Sequence, residues 1–129
     1  MLNISFSRGL VAGLPLFLVA CSAGTATVQN VSVQDLQKAH QQGSFILDVR
    51  TPEEYNEGHV KGSILLPLNE LSNRLHELPH EGDIYVVCRS GNRSRQASEL
   101  LVQEGFQNVY NVEGGMQAWQ AAGFQIVRR

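Results

Sequence analysis

One short stretch of this 129-residue chain gathers the side chains that could do chemistry: Cys88-Arg89-Ser90-Gly91-Asn92-Arg93-Ser94. A cysteine attacks as its thiolate, and an ordinary thiol with a pKa near 8.5 is about 3% ionised at pH 7. A drop of about two units would leave roughly three quarters of it ionised, equivalent to about 2.7 kcal/mol of differential interaction. The stretch contains the means to do this. Its short polar residues and Gly91 let successive backbone N–H groups turn inward as an anion cradle. A helix beginning near Ser94 would add the positive end of its dipole. Arg89 and Arg93 would add full charges, with Arg95 at the rim. The segment has no histidine, so a cysteine–histidine pair is not the arrangement. A cysteine that ends an apolar run can also be merely a small buried residue. Two arginines within five residues of it weigh instead towards a reactive thiol that handles small anions.

The surrounding sequence alternates strand and helix. Ser32 to Asp35 reads as a capping box opening a helix that stops at Gly43. The apolar run 45–49 is a buried strand ending at Asp48 and Arg50. Thr51-Pro52-Glu53-Glu54 is a helix start, with Thr51 as N-cap and Pro52 in the first position, and that helix ends near Gly58. A strand over 63–66 stops at Pro67. Leu71, Leu75 and Leu78 predict a helix over 69–78, ended by Pro79. The clearest buried strand is 83–87. A helix over 94–104, a strand over 108–111, a helix over 116–122 and a tail at 124–127 complete the chain. This pattern predicts a single α/β domain over residues 31–129, with a parallel sheet of about five short strands and helices on both faces. Ligands of such sheets sit beyond the carboxyl ends of the strands. Asp48, Arg50 and the residues after Val87 all fall at that edge.

Composition narrows the classes further. Hydrophobic residues make up 43% and charged residues 17%, which is globular composition. Ten Lys+Arg against twelve Asp+Glu leave a net charge of −2, which argues against a nucleic-acid partner bound through bulk charge. Two cysteines are too few for a disulfide-stapled miniprotein or a four-cysteine zinc site, and the four histidines lack metal-ligand spacing. No metal site is expected. Residues 10–20 form an uncharged run of eleven that includes Pro15. As a helix this run reaches only about 17 Å, too short for a bilayer, and it reads as the apolar part of a secretory signal. The small and polar residues 21–30 read as a flexible tether.

The 88–94 loop resembles the active-site loop of the rhodanese (thiosulfate sulfurtransferase) family. Two further segments agree with it: Asp48-Val-Arg-Thr-Pro-Glu-Glu-Tyr55 running into Gly58 to Ile64, and Gly105 to Tyr110 continuing through Gly114-Gly-Met-Gln-Ala-Trp119 to Gly123. The resemblance covers about residues 31–127 and is nearest the single-domain bacterial members. It implies a sulfurtransferase in which Cys88 is the nucleophile and carries a persulfide. The backbone of Arg89, Ser90, Gly91, Asn92 and Arg93 would cradle the outer sulfur, next to Ser94. Arg89 and Arg93 would attract a small anionic sulfur donor. A thiol or a protein cysteine would be the acceptor, with cyanide serving in an assay, and no cofactor would be needed. Asp48 and Arg50 match signature positions and read as supporting residues, with Arg50 paired to a nearby Glu. His59, Met116 and Trp119 read as structural.

Two alternatives stay open. One is a non-catalytic sulfane-sulfur carrier or binding module. The other is an arsenate reductase or phosphatase of related fold, whose loop places Arg six positions after Cys; here Arg93 comes five after Cys88 and position 94 is Ser. Leu18-Val19-Ala20-Cys21 resembles the lipobox of bacterial lipoproteins. That likeness implies cleavage after residue 20, lipid on Cys21 as a membrane anchor, and a periplasm-facing location, in the outer membrane by the Ser22 that follows. A soluble periplasmic protein cut after Ala23 or Ala26 is the alternative.

Overall fold

The computed structural model describes Gly13 and residues 26–129. The expected signal segment (Gly13 apart), the lipobox and Cys21 lie outside the described residues.

Five strands form one parallel sheet: β1 (Gln29–Val31), β2 (Phe45–Asp48), β3 (Ile64–Leu65), β4 (Ile84–Val87) and β5 (Val109–Val112), in the order β1-β5-β4-β2-β3. Five helices connect or follow them: α1 (Val33–Gln41), α2 (Pro52–Glu57), α3 (Leu68–Leu71), α4 (Asn92–Gln103) and α5 (Gly115–Ala121). The predicted α/β architecture is the one observed.

Local chemistry explains most boundaries. Ser32 caps α1 in a reciprocal box with Asp35. Thr51 caps α2 by accepting the Glu54 N–H, and Pro52 occupies the first helical position. The central strands carry apolar side chains on both faces. From β2 and β4, Leu47, Ile84 and Val86 join Ala97 and Leu101 of α4 in one core. Ile46 and Val87 join Leu36 of α1 and Met116 and Trp119 of α5 in the other. Thus α3 and α4 pack together on one face, and α1 and α5 on the other.

Three elements differ from the sequence expectation by more than one residue. β1 begins at Gln29, inside the expected tether, and pairs with β5 through Gln29–Tyr110, Asn30–Asn111 and Val31–Val112. The predicted helix over 69–78 is instead α3 and a separate 3-10 turn, Leu75–Glu77. Arg74 leaves helical geometry at φ −129°, and Leu78 is extended ahead of Pro79, as steric crowding from the proline ring requires. Helix α4 starts at Asn92, two residues earlier than expected, because Gly91 turns the chain at φ +106°. The tail reaches only one bridge, antiparallel, between Val127 and His59.

Chain connections leave β2 towards β3 and leave β4 towards β5, so they diverge between the two central strands. That divergence opens a crevice at the strands' carboxyl ends, where Asp48 and Cys88 lie.

Candidate active site

Strand alternation aims Cys88. Ile84 and Val86 face α4, and Cys88, two residues on, continues on that side and is 1% exposed. The chain then turns through Gly91 into α4, whose first turn has no side-chain cap. Its leading N–H groups are therefore available to an anion. The Gly91 N–H donates to Cys88 Sγ at 3.1 Å, and the Ser94 hydroxyl lies 3.4 Å from the same sulfur. Burial pushes the thiol pKa up. Hydrogen bonds from the Ser94 side chain and from the backbone N–H groups of Ser94, Gly91 and Ser90 outweigh it, and the net result is a lowered pKa. Around the sulfur the loop thus presents backbone amides and one hydroxyl.

The other side of the loop is fixed by α5. The Met116 N–H donates to the Cys88 carbonyl at 2.8 Å, and the Gln117 N–H to the Arg89 carbonyl at 3.0 Å. With both carbonyls drawn towards α5, the amides that follow are left to face the sulfur. Gly115 makes this approach possible: its φ is +52°, and a Cβ there would overlap the Cys88 carbonyl oxygen and lie 2.7 Å from the Arg89 carbonyl. This role of Gly115 is not among those expected from the sequence, where a Gly-Gly pair one residue after a strand is the signal for it.

The charges pair differently from expectation. Arg93, expected to attract a donor, is held bidentately by Glu54 at 2.7 and 2.8 Å. Arg50, expected to meet a Glu, instead forks onto Asp48, with Nη2 2.8 Å from Oδ2 and a second bond from Nη2 to the Gly58 carbonyl at 2.8 Å. Residues two apart on an extended segment point the same way, which brings Arg50 back onto Asp48. Both are buried, and they fasten the end of β2 to the end of α2. Arg89 is exposed and lines a cleft of about 480 Å³ with Met116, Gln117, Ile126 and Arg128. Ser90 and Asn92 are exposed on the loop, and Arg95 at the rim makes a long 3.4 Å contact with Glu99. His59 stacks on Tyr55 with Nδ1 2.7 Å from the Tyr55 carbonyl, and Trp119 donates to the Gln125 carbonyl.

The Glu54–Arg93 pair makes a prediction. Arg93 holds the Glu54 carboxyl at about 2, against 4.5 unperturbed. A depressed carboxylate contributes stability above its unfolded value and loses it as pH falls. The pair should therefore contribute fully above about pH 4.5 and progressively less towards pH 2. Both side chains are partly solvated, so the contribution should be about 1 kcal/mol or less. Urea midpoints measured at pH 6 and pH 3 should fall further for the wild type than for Glu54→Gln. Equal falls would remove the pair from the acid dependence.

The chain is similar to known proteins over most of its described length. A family model, the rhodanese-like domain, matches residues 32–122. A sulfurtransferase of Allochromatium vinosum is 39% identical over 83 residues, covering 64% of this chain and 78% of its own. A thiosulfate sulfurtransferase of Pseudoalteromonas translucida, GlpE, is 34% identical over 96 residues, covering 74% of this chain and 91% of its own. A candidate sulfur carrier protein of Bacillus subtilis, YrkF, is 37% identical over 100 residues; that match covers 76% of this chain and 54% of the relative, so the chain spans about half of it. The crystal structure of a rhodanese-related protein from Thermoplasma volcanium superimposes with a TM-score of 0.73 at 35% identity, covering 78% of this chain and 99% of that one. A cysteine held at a strand end by loop amides, on this sheet and across this span of sequence, places the chain in the rhodanese-like domain family, whose relatives include sulfurtransferases and sulfur carriers.

Proposed function

We propose that the protein is a sulfurtransferase that moves sulfane sulfur from thiosulfate or a similar anionic donor to a thiophilic acceptor through a Cys88 persulfide. The observation that carries this reading is Cys88 Sγ, buried, accepting the Gly91 N–H, with its pKa lowered. The Cys88 thiolate attacks the outer sulfur of thiosulfate. A Cys88 S–S bond forms, the donor's S–S bond breaks, and sulfite leaves with the bonding pair. The amide cradle takes up the negative charge on the terminal sulfur, as an oxyanion hole does for oxygen. A second nucleophile then removes that sulfur and restores the thiolate: cyanide in an assay, a thiol or a protein cysteine in a cell. Arg93 is neutralised by Glu54, which leaves Arg89, with Arg128 in the same cleft, to draw the donor.

Intact mass after thiosulfate treatment tests the chemistry. One added sulfur, mapped to the peptide containing Cys88 and released as thiocyanate over many turnovers, is the expected result. A loaded sulfur that cyanide releases only once would favour the carrier reading, which the similarity to YrkF supports. No added sulfur would end both.

For the amino-terminal segment we propose a signal sequence and lipid on Cys21, giving a domain tethered to the periplasmic side of a bacterial membrane. The motif Leu18-Val19-Ala20-Cys21 supports this reading. Fatty-acid labelling of the wild type, lost on Cys21→Ala, is the expected result; absence of label on the wild type would favour a soluble periplasmic protein.

A further inference from the structure

A line of polar side chains runs from the sulfur to the edge of the sheet. Ser94 Oγ lies 3.4 Å from Cys88 Sγ and 2.6 Å from Asn111 Oδ1, and Asn111 Nδ2 lies 3.1 Å from Asn30 Oδ1. Ser94 and Asn111 are 0% and 3% exposed, while Asn30 on edge strand β1 is exposed. The sheet register produces the line: Asn30 pairs with Asn111 across β1 and β5, and Asn111 with Val86 across β5 and β4, two residues before Cys88. A buried Asn in the otherwise apolar strand β5 has no role in the chemistry derived above.

The Ser94 hydroxyl has one proton and two claimants for it. With a neutral thiol, every bond points outward: Cys88 S–H to Ser94 Oγ, Ser94 O–H to Asn111 Oδ1, and Asn111 N–H to Asn30 Oδ1. A thiolate has no proton to give and needs one directed at it. If the hydroxyl turned to the sulfur alone, two oxygens 2.6 Å apart would face each other without a hydrogen between them. Each member of the line can serve both as donor and as acceptor, so the conflict is removed by reversing them all. Asn111 turns its NH2 to Ser94 and its oxygen to Asn30, and the exposed Asn30 turns its NH2 inward at little cost.

We propose that Asn111 and Asn30 form a reversible hydrogen-bond relay that frees the Ser94 hydroxyl to serve the Cys88 sulfur when it is anionic and takes it back when it is not. Both are positioning residues that act through Ser94. The proposal rests on Cys88 being the reactive group of the function proposed above. In the catalytic cycle the relay would reverse twice, since the inner sulfur of the persulfide is no longer an anion.

The test reads the thiol itself. The rate of Cys88 alkylation by iodoacetamide is followed against pH, which reports ionisation whether or not the protein transfers sulfur from thiosulfate. A normal wild-type alkylation profile without sulfur loading would sink the function and leave the relay standing. In Asn30→Asp, a surface carboxylate that can only accept would hold the Asn111 NH2, and hence the Ser94 hydroxyl, in the outward direction. Alkylation at pH 7 should slow roughly fivefold, the equivalent of about one net hydrogen bond, and the midpoint should rise. Gln29→Glu puts the same charge on the neighbouring residue, off the line, and should leave the profile unchanged. The charged groups around the sulfur, Arg89 and Arg93 with its partner Glu54, and the Asp48–Arg50 pair from β2, are the same in all variants. Placing Asn30→Asp in an Asn111→Leu background removes the link, and the slowing should disappear. Persistence there, or equal slowing by Gln29→Glu, or loss of the effect in about 0.5 M salt, where the Debye length is about 4 Å, would reduce it to simple charge repulsion and overturn the proposal. If the Leu variant does not fold, the comparison of the two exposed strand variants decides alone.

Discussion

Replacing Cys88 by Ser should reduce sulfur transfer by at least about 10³-fold, to background, while the protein still folds. No other described residue can take over the nucleophile's role, and a serine hydroxyl is not ionised by a few amide hydrogen bonds at neutral pH. The structure predicts that the loop survives. Gly91 N–H now meets Sγ at 3.1 Å, and a hydroxyl oxygen can accept that same bond. The cost is the exchange of a sulfur for a smaller, more polar atom at a site 1% exposed, about 1–2 kcal/mol. For a domain of this size that is a melting temperature lower by roughly 5–15 °C, with an unchanged circular dichroism spectrum at 20–25 °C (about room temperature). Thiocyanate production at anything near the wild-type rate would refute the role of Cys88. A variant that unfolds would show instead that the sulfur contributes far more to the core than its contacts indicate.

Gly115→Ala should be nearly as damaging, although residue 115 touches no substrate. A Cβ at φ +52° carries left-handed strain of about 1–2 kcal/mol. It would also collide with the carbonyls of Cys88 and Arg89, which are backbone and cannot swing aside. Relief requires α5 to retreat, which breaks the bonds from Met116 N–H and Gln117 N–H at about 1 kcal/mol each. A loss near 3 kcal/mol, with a melting temperature more than about 10 °C lower, is expected. Activity should fall on the order of 10²-fold even at temperatures where the variant is folded, because the loop amides move off the sulfur. Gly105→Ala is the control. Gly105 also has a positive φ, +96°, but a Cβ there meets open space. It should cost about 1 kcal/mol and leave turnover per folded molecule untouched. Equal activity losses in the two variants would remove α5 from the positioning of the loop.

These two variants mark what could and could not be read from the sequence. Cys88 and its loop were legible because the chemistry is local: an apolar strand, a cysteine, short residues, glycine and a helix start follow one another within about ten positions. Thr51-Pro52 announced α2 for the same reason, since a cap and a proline act on their immediate neighbours. Partnerships across the sheet were not legible. Glu54 and Arg93 are 39 residues apart, and only the adjacency of β2 and β4 brings them together; without it Arg93 looked free and Arg50 looked like the residue in need of a Glu. Asn111 meets Asn30 over 81 residues, and Gln29 and Asn30 read as tether because Gln29-Asn30-Val31 has one apolar residue and becomes a strand only by pairing with β5. The leucines at 71, 75 and 78 carry a helical spacing, yet they reach the core from α3, a 3-10 turn and an extended residue. Periodicity records which side chains are wanted inside and says less about the path of the chain between them.

The depth of Cys88 also acts as a filter. At 1% exposure, with Gly91 and Ser94 against its flank, the sulfur is reached most readily by a partner whose reacting atom is small and unencumbered. Thiosulfate and hydropersulfides have such an end, whereas an oxidised tripeptide or a protein disulfide shields each of its sulfurs with carbon on one side and a second sulfur on the other. On the proposed chemistry, the seclusion that favours such a donor would also slow capture of the thiol as a mixed disulfide, so a cysteine working in oxidising surroundings would depend less on a partner cysteine to rescue it.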